Sequence, residues 1–364
     1  MDKRRSLALL LCGSMLLSGC SAMLDRDYTS VTPHSAAPTV EGDQLAIRVE
    51  NYQGLVNALL YFITEGRESG IIRLYNYPSD ISADMELACQ EVSREDPLGA
   101  YAVDDIRYTV APIVACHEAN IQFSYRRTHE QVASIISATG STAIREALRA
   151  ALANFQEEAV LRISYFDQDE AYIRTLLRQA YLSAPANALD YPKVSIYSYP
   201  DSGRQRIVEI LMEYNLDQKE LSSRAKSLSE QCTQITDELW DVTGDDGLLR
   251  ICRAVLETAE YDPDGGSTAY HALSQHSADS MGLAFAMTLL CRQLDYSAQV
   301  VEGTLNGQSH SWIVVDTEQG NRHLDLTQEL SDDDAPFRTD RYMAEAGYSW
   351  DKALVPACVD QSEG

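Results

Sequence analysis

Basic residues are scarce. The chain has 29 Lys and Arg against 55 Asp and Glu, and its formal net charge is −26. A surface this acidic repels nucleic acid and anionic lipid headgroups, and no basic patch stands against it, so a nucleic-acid partner is not expected. No CxxC pair and no Cys/His spacing of the metal-site kind occurs, so neither a metal centre nor a cofactor is expected. No apolar run is long enough, with suitable flanks, to give a stable spanning helix. What the chain does hold is 364 residues with 45% apolar content, enough for two or three globular domains.

The N-terminus sets the expected compartment. "MDKRR" is basic, "LALLLCGSMLLSG" is a short apolar run, and the run closes on Leu17-Ser18-Gly19-Cys20. This resembles a bacterial lipobox. The resemblance implies a signal peptide over 1–19, lipid on Cys20, and an extracytoplasmic lipoprotein held to the bacterial cell membrane. An ordinary signal peptide with a chance Cys is the alternative. Each buried acyl CH₂ contributes about 0.8 kcal/mol, and more than one chain gives stable anchoring. Loss of residues 1–19 removes a net +2 and leaves −28. Residues 20–44, rich in Ser, Thr, Ala and Pro, read as a flexible tether. Beyond Cys12 and Cys20 stand Cys89, Cys116, Cys232, Cys252, Cys291 and Cys358. Outside the cytoplasm they permit three disulfides in 15 pairings, or they are buried thiols, and the spacing does not choose.

Two stretches match at an offset of 89. "IIRLYNY" (71–77) falls on "VLRISYF" (160–166), Leu59 on Leu148, Ile63 on Leu152, Tyr108 on Tyr197, Ile121 on Ile210 and Tyr125 on Tyr214. The hydrophobic periods alternate between helix and strand in the same order. This predicts two tandem αβαββ repeats, at 45–128 and 139–216. Neither carries a Gly-rich phosphate loop, a metal motif or a nucleophile motif.

From 217 the pattern turns helical. "LDQKELSSRAKSLSEQCTQITDELWDV" and "GDDGLLRICRAVLETAEYD" are amphipathic, and Asp245 and Asp246 suit the start of the second helix. "PDGG" (263–266) reads as a break. A short helix near 268–274, a helix over about 280–294, and strands at about 297–304, 309–316 and 322–327 follow. Helices before an antiparallel sheet make an α+β domain over 217–364. The aromatics of its tail, Phe337, Tyr342, Tyr348 and Trp350, suggest that the tail packs back.

Three segments carry chemistry: "SMGLAFAM" from Ser280, "HSW" from His310 and "RHLDLT" around Asp325. A nucleophile at a helix start gains from the helix dipole, a His on the next sheet can act as base, and a carboxylate can orient that His. The three segments resemble the transglutaminase-like family, which shares the papain-like cysteine-protease core. "YSAQVVEGTLNGQSHSW" (296–312) and "DRYMAEAGYSWD" (340–351) resemble the family's strand–turn–strand and the tail of related secreted members. The resemblance spans about 217–355. It implies that the family's catalytic Cys falls on Ser280, with His310 as base and Asp325 as orienting carboxylate. Gly282, Ala284 and Ala286 match small positions of the nucleophile helix, whereas Leu283 replaces a Tyr. Asp279, Gly282, Trp312 and Tyr270 are weaker cleft candidates; Trp312 also reads as core, and Tyr270 and His271 as packing.

A thiol ionises near neutrality with modest help, whereas a hydroxyl must lose its proton to a base during attack. Asp279 adds negative charge where an oxyanion would form. Ser280, or Asp279 before it, is also a good N-cap, which alone accounts for its presence. Cys291 returns to the same helix face as Ser280 but about 16 Å further on, out of reach of His310. The expectation is therefore a catalytically impaired domain, a pseudoenzyme, that binds a peptide or protein at the envelope. The alternatives are an active Ser280-His310-Asp325 amide or ester hydrolase or acyltransferase, and an adhesion or assembly scaffold acting through the repeats.

Overall fold

The computed structural model describes residues 46–328 and 336–359. The signal peptide 1–19, Cys20, the tether 20–44 and the "SDDD" run at 331–334 lie outside the described residues. The chain divides into two compact units. One comprises residues up to Ile144 with 160–167 and 198–208; the other comprises 145–159, 168–197 and 209 onward.

The first unit starts with β1 (Ala46–Val49), α1 (Tyr52–Thr64), β2 (Ser69–Leu74), α2 (Ile81–Arg94), α3 (Pro97–Ala102), β3 (Val103–Pro112) and β4 (His117–Tyr125). The short α4 (His129–Ala133) and β5 (Ile136–Ala138) come next. Asn51 caps α1 by accepting the Gly54 N–H, and Asp80 caps α2 by accepting those of Ser82 and Ala83. Leu55, Leu59, Phe62 and Ile63 recur at helical spacing and are buried on one face of α1. The sheet order is β1-β2-β4-β3, with β1 parallel to β2 and the other pairs antiparallel.

After β5 come α5 (Gly140–Ala153), β6 (Glu158–Ile163), α6 (Glu170–Leu182), β7 (Lys193–Tyr199) and β8 (Arg206–Glu213). Their sheet order, β5-β6-β8-β7, repeats that of the first sheet, and β5 is parallel to β6. The starts of β2 and β6, of α2 and α6, and of β4 and β8 are each 89 positions apart. One feature differs from the expected αβαββ pattern: a short strand precedes the first helix in both cases. "AIRV" and "ISA" are too short for alternation to register as a signal.

The second unit continues with α7 (Gln218–Glu238), α8 (Gly244–Thr258), β9 (Glu260–Gly266), α9 (Ala269–Gln275), β10 (Ser277–Ala278) and α10 (Ser280–Gln293). Then come β11 (Ala298–Leu305), β12 (Gln308–Thr317), β13 (Gly320–Leu324), α11 (Asp340–Glu345) and β14 (Tyr348–Trp350). The arrangement is α+β. The "PDGG" stretch is not a simple break: it belongs to β9, which pairs with β10. The sheet order is β13-β12-β11-β14, all antiparallel. Asn306 and Gly307 make the β11–β12 turn with φ of 53° and 81°, the left-handed pair that a tight hairpin requires.

Every residue of α10 from Met281 to Cys291 is buried. Helices α7, α8 and α9 and strands β11 and β12 all pack against it. A second cluster holds Val301, Trp312, Val314, Met343, Tyr348 and Cys358, so the tail does fold back through α11 and β14. The six described cysteines are all buried free thiols, and no disulfide joins them. Burial pushes the thiols of Cys89, Cys232, Cys252, Cys291 and Cys358 up to about 12. No described helix is long and apolar enough to cross a membrane.

Gly303 is where the tail meets the sheet. A Cβ there would lie 2.2 Å from the Ser349 carbonyl oxygen and 2.7 Å from the Trp312 ring. Overpacking of a filled core costs about 1–3 kcal/mol. Gly303→Ala is therefore expected to lower the unfolding free energy by that amount, read as a lower urea midpoint at unchanged slope.

Candidate active site

Helix α10 starts beside the end of β12 that carries His310. Asp279, not Ser280, is the N-cap, and its Oδ1 accepts the Gly282 N–H at 2.9 Å. Its Oδ2 accepts from the Ser267 hydroxyl. Ser280 is thus the first helical residue. Gly282 lies against β9 and the loop after it: a Cβ there would sit 2.6 Å from the Gly266 carbonyl oxygen and 2.8 Å from Ala278 Cβ. The cap and this close approach fix the first turn of α10. The N–H groups of Ser280 and Met281, which precede the first intrahelical bond, have no acceptor among the described residues.

His310 is buried, with 7% exposure. Its Nε2 lies 2.7 Å from Asp325 Oδ2. The same Oδ2 accepts from the Tyr348 hydroxyl at 2.6 Å, and Oδ1 accepts from Thr327 N–H and Oγ1–H, each at 2.9 Å. Burial alone would raise the Asp325 carboxyl. The His310 hydrogen bond and charge, the Tyr348 hydroxyl and the Thr327 N–H outweigh it, and the net direction is down. An ionised Asp325 can only accept, so His310 carries a proton on Nε2 and, in the neutral ring, presents the Nδ1 lone pair. Burial first, then the bond to Asp325, raises the Tyr348 phenol well above its ordinary value, which keeps it a donor.

Ser280, His310 and Asp279 line one cavity of about 650 Å³. Ser280 Oγ accepts the Ser311 N–H at 3.2 Å, and no hydrogen bond among the described residues joins it to the His310 ring. Arg178 of α6 and Glu302 of β11 also line the cavity. Arg178 Nε lies 3.0 Å from both Glu302 carboxylate oxygens, and its guanidinium sits over the Tyr181 and Tyr191 rings. Tyr261 lines the cavity too, and burial followed by the charges of Asp325 and Asp279 raises its hydroxyl.

The remaining sequence candidates lie elsewhere. Trp312 does not line the cavity. It is 1% exposed, behind His310, and packs edge-on against Tyr348 and Trp350. Tyr270 on α9 lies beneath the Arg224 guanidinium and away from the cavity lining, and His271 bonds Thr268. Asp325 follows β13 rather than lying on it, and Leu324 and Leu326 are buried beside it. Tyr348, Thr327 and the Arg178–Glu302 pair were not read as site residues. The tail aromatics were the available signal for Tyr348; nothing local marks Arg178, 124 positions from its partner.

One further cluster has metal-ligand residue types: His323, Asp340 and Cys358, whose ligand atoms lie within 4.8 Å of one another. Trp312 Nε1 donates to His323 Nδ1 at 2.9 Å, and Nε2 lies 2.9 Å from Asp340 Oδ1. An indole N–H can only donate, so Nδ1 must accept and Nε2 must hold the proton shared with Asp340. Both ring nitrogens are therefore committed, and the cluster ties the tail to β13 rather than offering a lone pair to an ion.

No protein family and no curated protein matches the chain. Among solved structures, the chain is similar to a TGase at 13% identity and a TM-score of 0.27, over 83% of this chain and 84% of that one. It is also similar to a structure from Cytophaga hutchinsonii provisionally named a cysteine protease, at 12% identity and 0.26, over 46% and 69%. A third, provisionally named a protease, from Parabacteroides distasonis, shows 8% identity and 0.23, over 46% and 39%. Likenesses of this size carry no argument about the site, which rests on its own geometry.

Removing one partner from a buried, hydrogen-bonded charge costs about 3–5 kcal/mol. Asp325→Asn would set its NH₂ against donors, and a loss in that range is expected from chemical denaturation. The sign with pH follows from the lowered carboxyl. Its contribution is full above the unfolded value near 4 and is lost as pH falls through the folded value. The variant should therefore lose less stability than the parent on acidification.

Proposed function

We propose that the protein is an extracytoplasmic envelope lipoprotein anchored through Cys20. In this reading its C-terminal domain is transglutaminase-like, has serine in the nucleophile position, and binds a peptide or protein segment with little or no turnover. Supporting the class are a buried helix that presents Ser280 at its start, a strand that presents His310, and Asp325 just after the next strand, in that chain order. The matching sheet orders and the 89-residue offset support a duplicated pair of modules preceding it.

The observation that carries the binding reading is the hydrogen bond made by Ser280. Its Oγ is engaged by the Ser311 N–H, and His310 is not bonded to it. A hydroxyl is a weak nucleophile unless its proton passes to a base as it attacks. The Asp279 carboxylate, held by the helix cap, lines the same cavity and brings negative charge to it. What the cavity retains is a peptide's complement: free N–H groups on Ser280 and Met281 for a carbonyl, and His310 Nδ1 for an N–H.

Those same features favour one second reading, a working serine hydrolase or acyltransferase. The N–H pair would receive the oxyanion, and substrate binding would bring Oγ onto His310, since catalytic hydrogen bonds often tighten only in the complex. The two readings separate cleanly with the chain beginning at residue 21. The binding reading expects no labelling of Ser280 by a fluorophosphonate and no peptide-amide or ester turnover above that of Ser280→Ala. It also expects Ser280→Cys to be alkylated by iodoacetamide faster than the parent's buried thiols. Turnover that vanishes in Ser280→Ala would overturn it.

A further inference from the structure

Strand β11 is only partly paired on its outer side. β12 covers it from Ala298 to Leu305, but β14 covers only Gly303–Leu305. The direction of its backbone groups follows from three bonds. Asp316 N–H bonds the Ser297 carbonyl toward β12, the Ala298 carbonyl is taken by Arg292, and Asn306 N–H bonds Gly347 on the β14 side. With a period of two, the N–H and C=O groups of Val300 and Glu302 point outward with those of Ala298. The Gly303–Trp350 pairing sets the Glu302 carbonyl against Asp351 N–H, whereas Val300 N–H, Val300 C=O and Glu302 N–H have no backbone partner among the described residues.

This open edge faces a cavity of about 940 Å³. The opposite wall is α6, with Thr175, Gln179 and Leu182, and beyond β14 the tail residues Ala353–Val355 close the end. Arg178 and Glu302 line both this cavity and the one at Ser280, so the two adjoin at this ion pair on β11. Three guanidiniums, those of Arg145, Arg178 and Arg292, face two carboxylates, Glu302 and Asp351. That is a local positive balance in a chain of net charge −26. Arg292 is saturated by the Ala298 and Ser183 carbonyls and Arg178 by Glu302, whereas Arg145 makes one bond, from Nη1 to Gln179.

We infer that the open edge of β11 is a strand-addition site, which takes an extended polypeptide segment carrying acidic side chains and leads it toward Ser280. Alternating N–H and C=O groups at a two-residue spacing are met in full only by another extended main chain. Arg145 is the group left to receive a carboxylate from the added strand. The inference rests on the peptide-binding reading above and deepens it by naming the edge, the direction of approach and the charge of the ligand.

The test uses the chain from residue 21 and a fluorescein-labelled peptide of alternating Glu and Val, read by anisotropy. Saturable binding is expected. N-methylation of alternate peptide amides, which removes main-chain donors without touching the protein, should weaken it about tenfold or more. A Lys-Val peptide should bind more weakly, and Arg145→Glu should reverse that order while leaving the denaturation midpoint unchanged. Equal binding of the N-methylated peptide overturns the inference, as does the absence of saturation below about 1 mM. If Ser280→Trp abolishes binding while N-methylation and Arg145→Glu do nothing, the cleft binds peptide without the edge: the earlier reading survives and this one falls. If the Glu-Val peptide instead competes with the chain's own tail, removal of residues 352–364 should tighten binding; tighter binding that is still sensitive to N-methylation supports the edge.

Discussion

A carboxylate cannot stay ionised inside a protein unless donors replace the water it has lost, and the second unit is arranged around meeting that requirement for Asp325. Four donors reach its two oxygens, from His310, Tyr348 and twice from Thr327. Each bond fixes something else. The one to His310 sets the tautomer and leaves Nδ1 as the ring's accepting nitrogen. The one to Tyr348 draws the C-terminal tail onto the sheet, where Trp312 fills the space between His310, Tyr348 and Trp350. The pair from Thr327 holds the chain as it leaves β13. Charge-assisted bonds of this kind are roughly twice as strong as neutral ones, and they are mutually dependent because they share one acceptor.

The same network shows why serine and cysteine are not equivalent beside it. A His with a committed Nε2 and an open Nδ1 could ionise a nearby thiol, because the helix start and the base together favour a thiolate. A hydroxyl gains nothing in its resting state from that arrangement. Ser280 instead satisfies a backbone N–H of β12, and the charge at the helix start belongs to Asp279. The resting hydrogen bonds of Ser280 therefore do not pass its proton to His310.

Much of this was legible residue by residue. The apolar run after Ser280 and the strands read at about 297–304 and 309–316 place α10, β11 and β12 within a residue or two. The site pair His310 and Asp325 follows from the order of the motifs. What sequence could not supply came from long range or from degeneracy. Two polar residues in succession, Asp279 and Ser280, are both good caps, and only the close packing at Gly282 and the resulting first turn select Asp279. Arg178 reaches Glu302 because α6 lies against β11, which no local pattern records. The leading strands β1 and β5 are too short to show a period, and buried cysteines look the same in sequence whether paired or free.

Helix α10 is apolar around its whole circumference, so hydrophobicity fixes its position but not its azimuth. An amphipathic helix is indexed by its own stripe; this one, buried on every side from Met281 to Cys291, has no such stripe. The angular setting is held at the start by the Asp279 cap, the Gly282 contact and the Ser280–Ser311 hydrogen bond, and in the last turn by the bonds from Arg292 to the Ala298 and Ser183 carbonyls. Rotation by one residue is about 100° at an N-terminal side chain. Volume-conserving changes deep in the core can therefore still act as a torque on Ser280 and Met281, which line the cavity. For this protein the sensitivity of the site and the sensitivity of the fold are separable quantities.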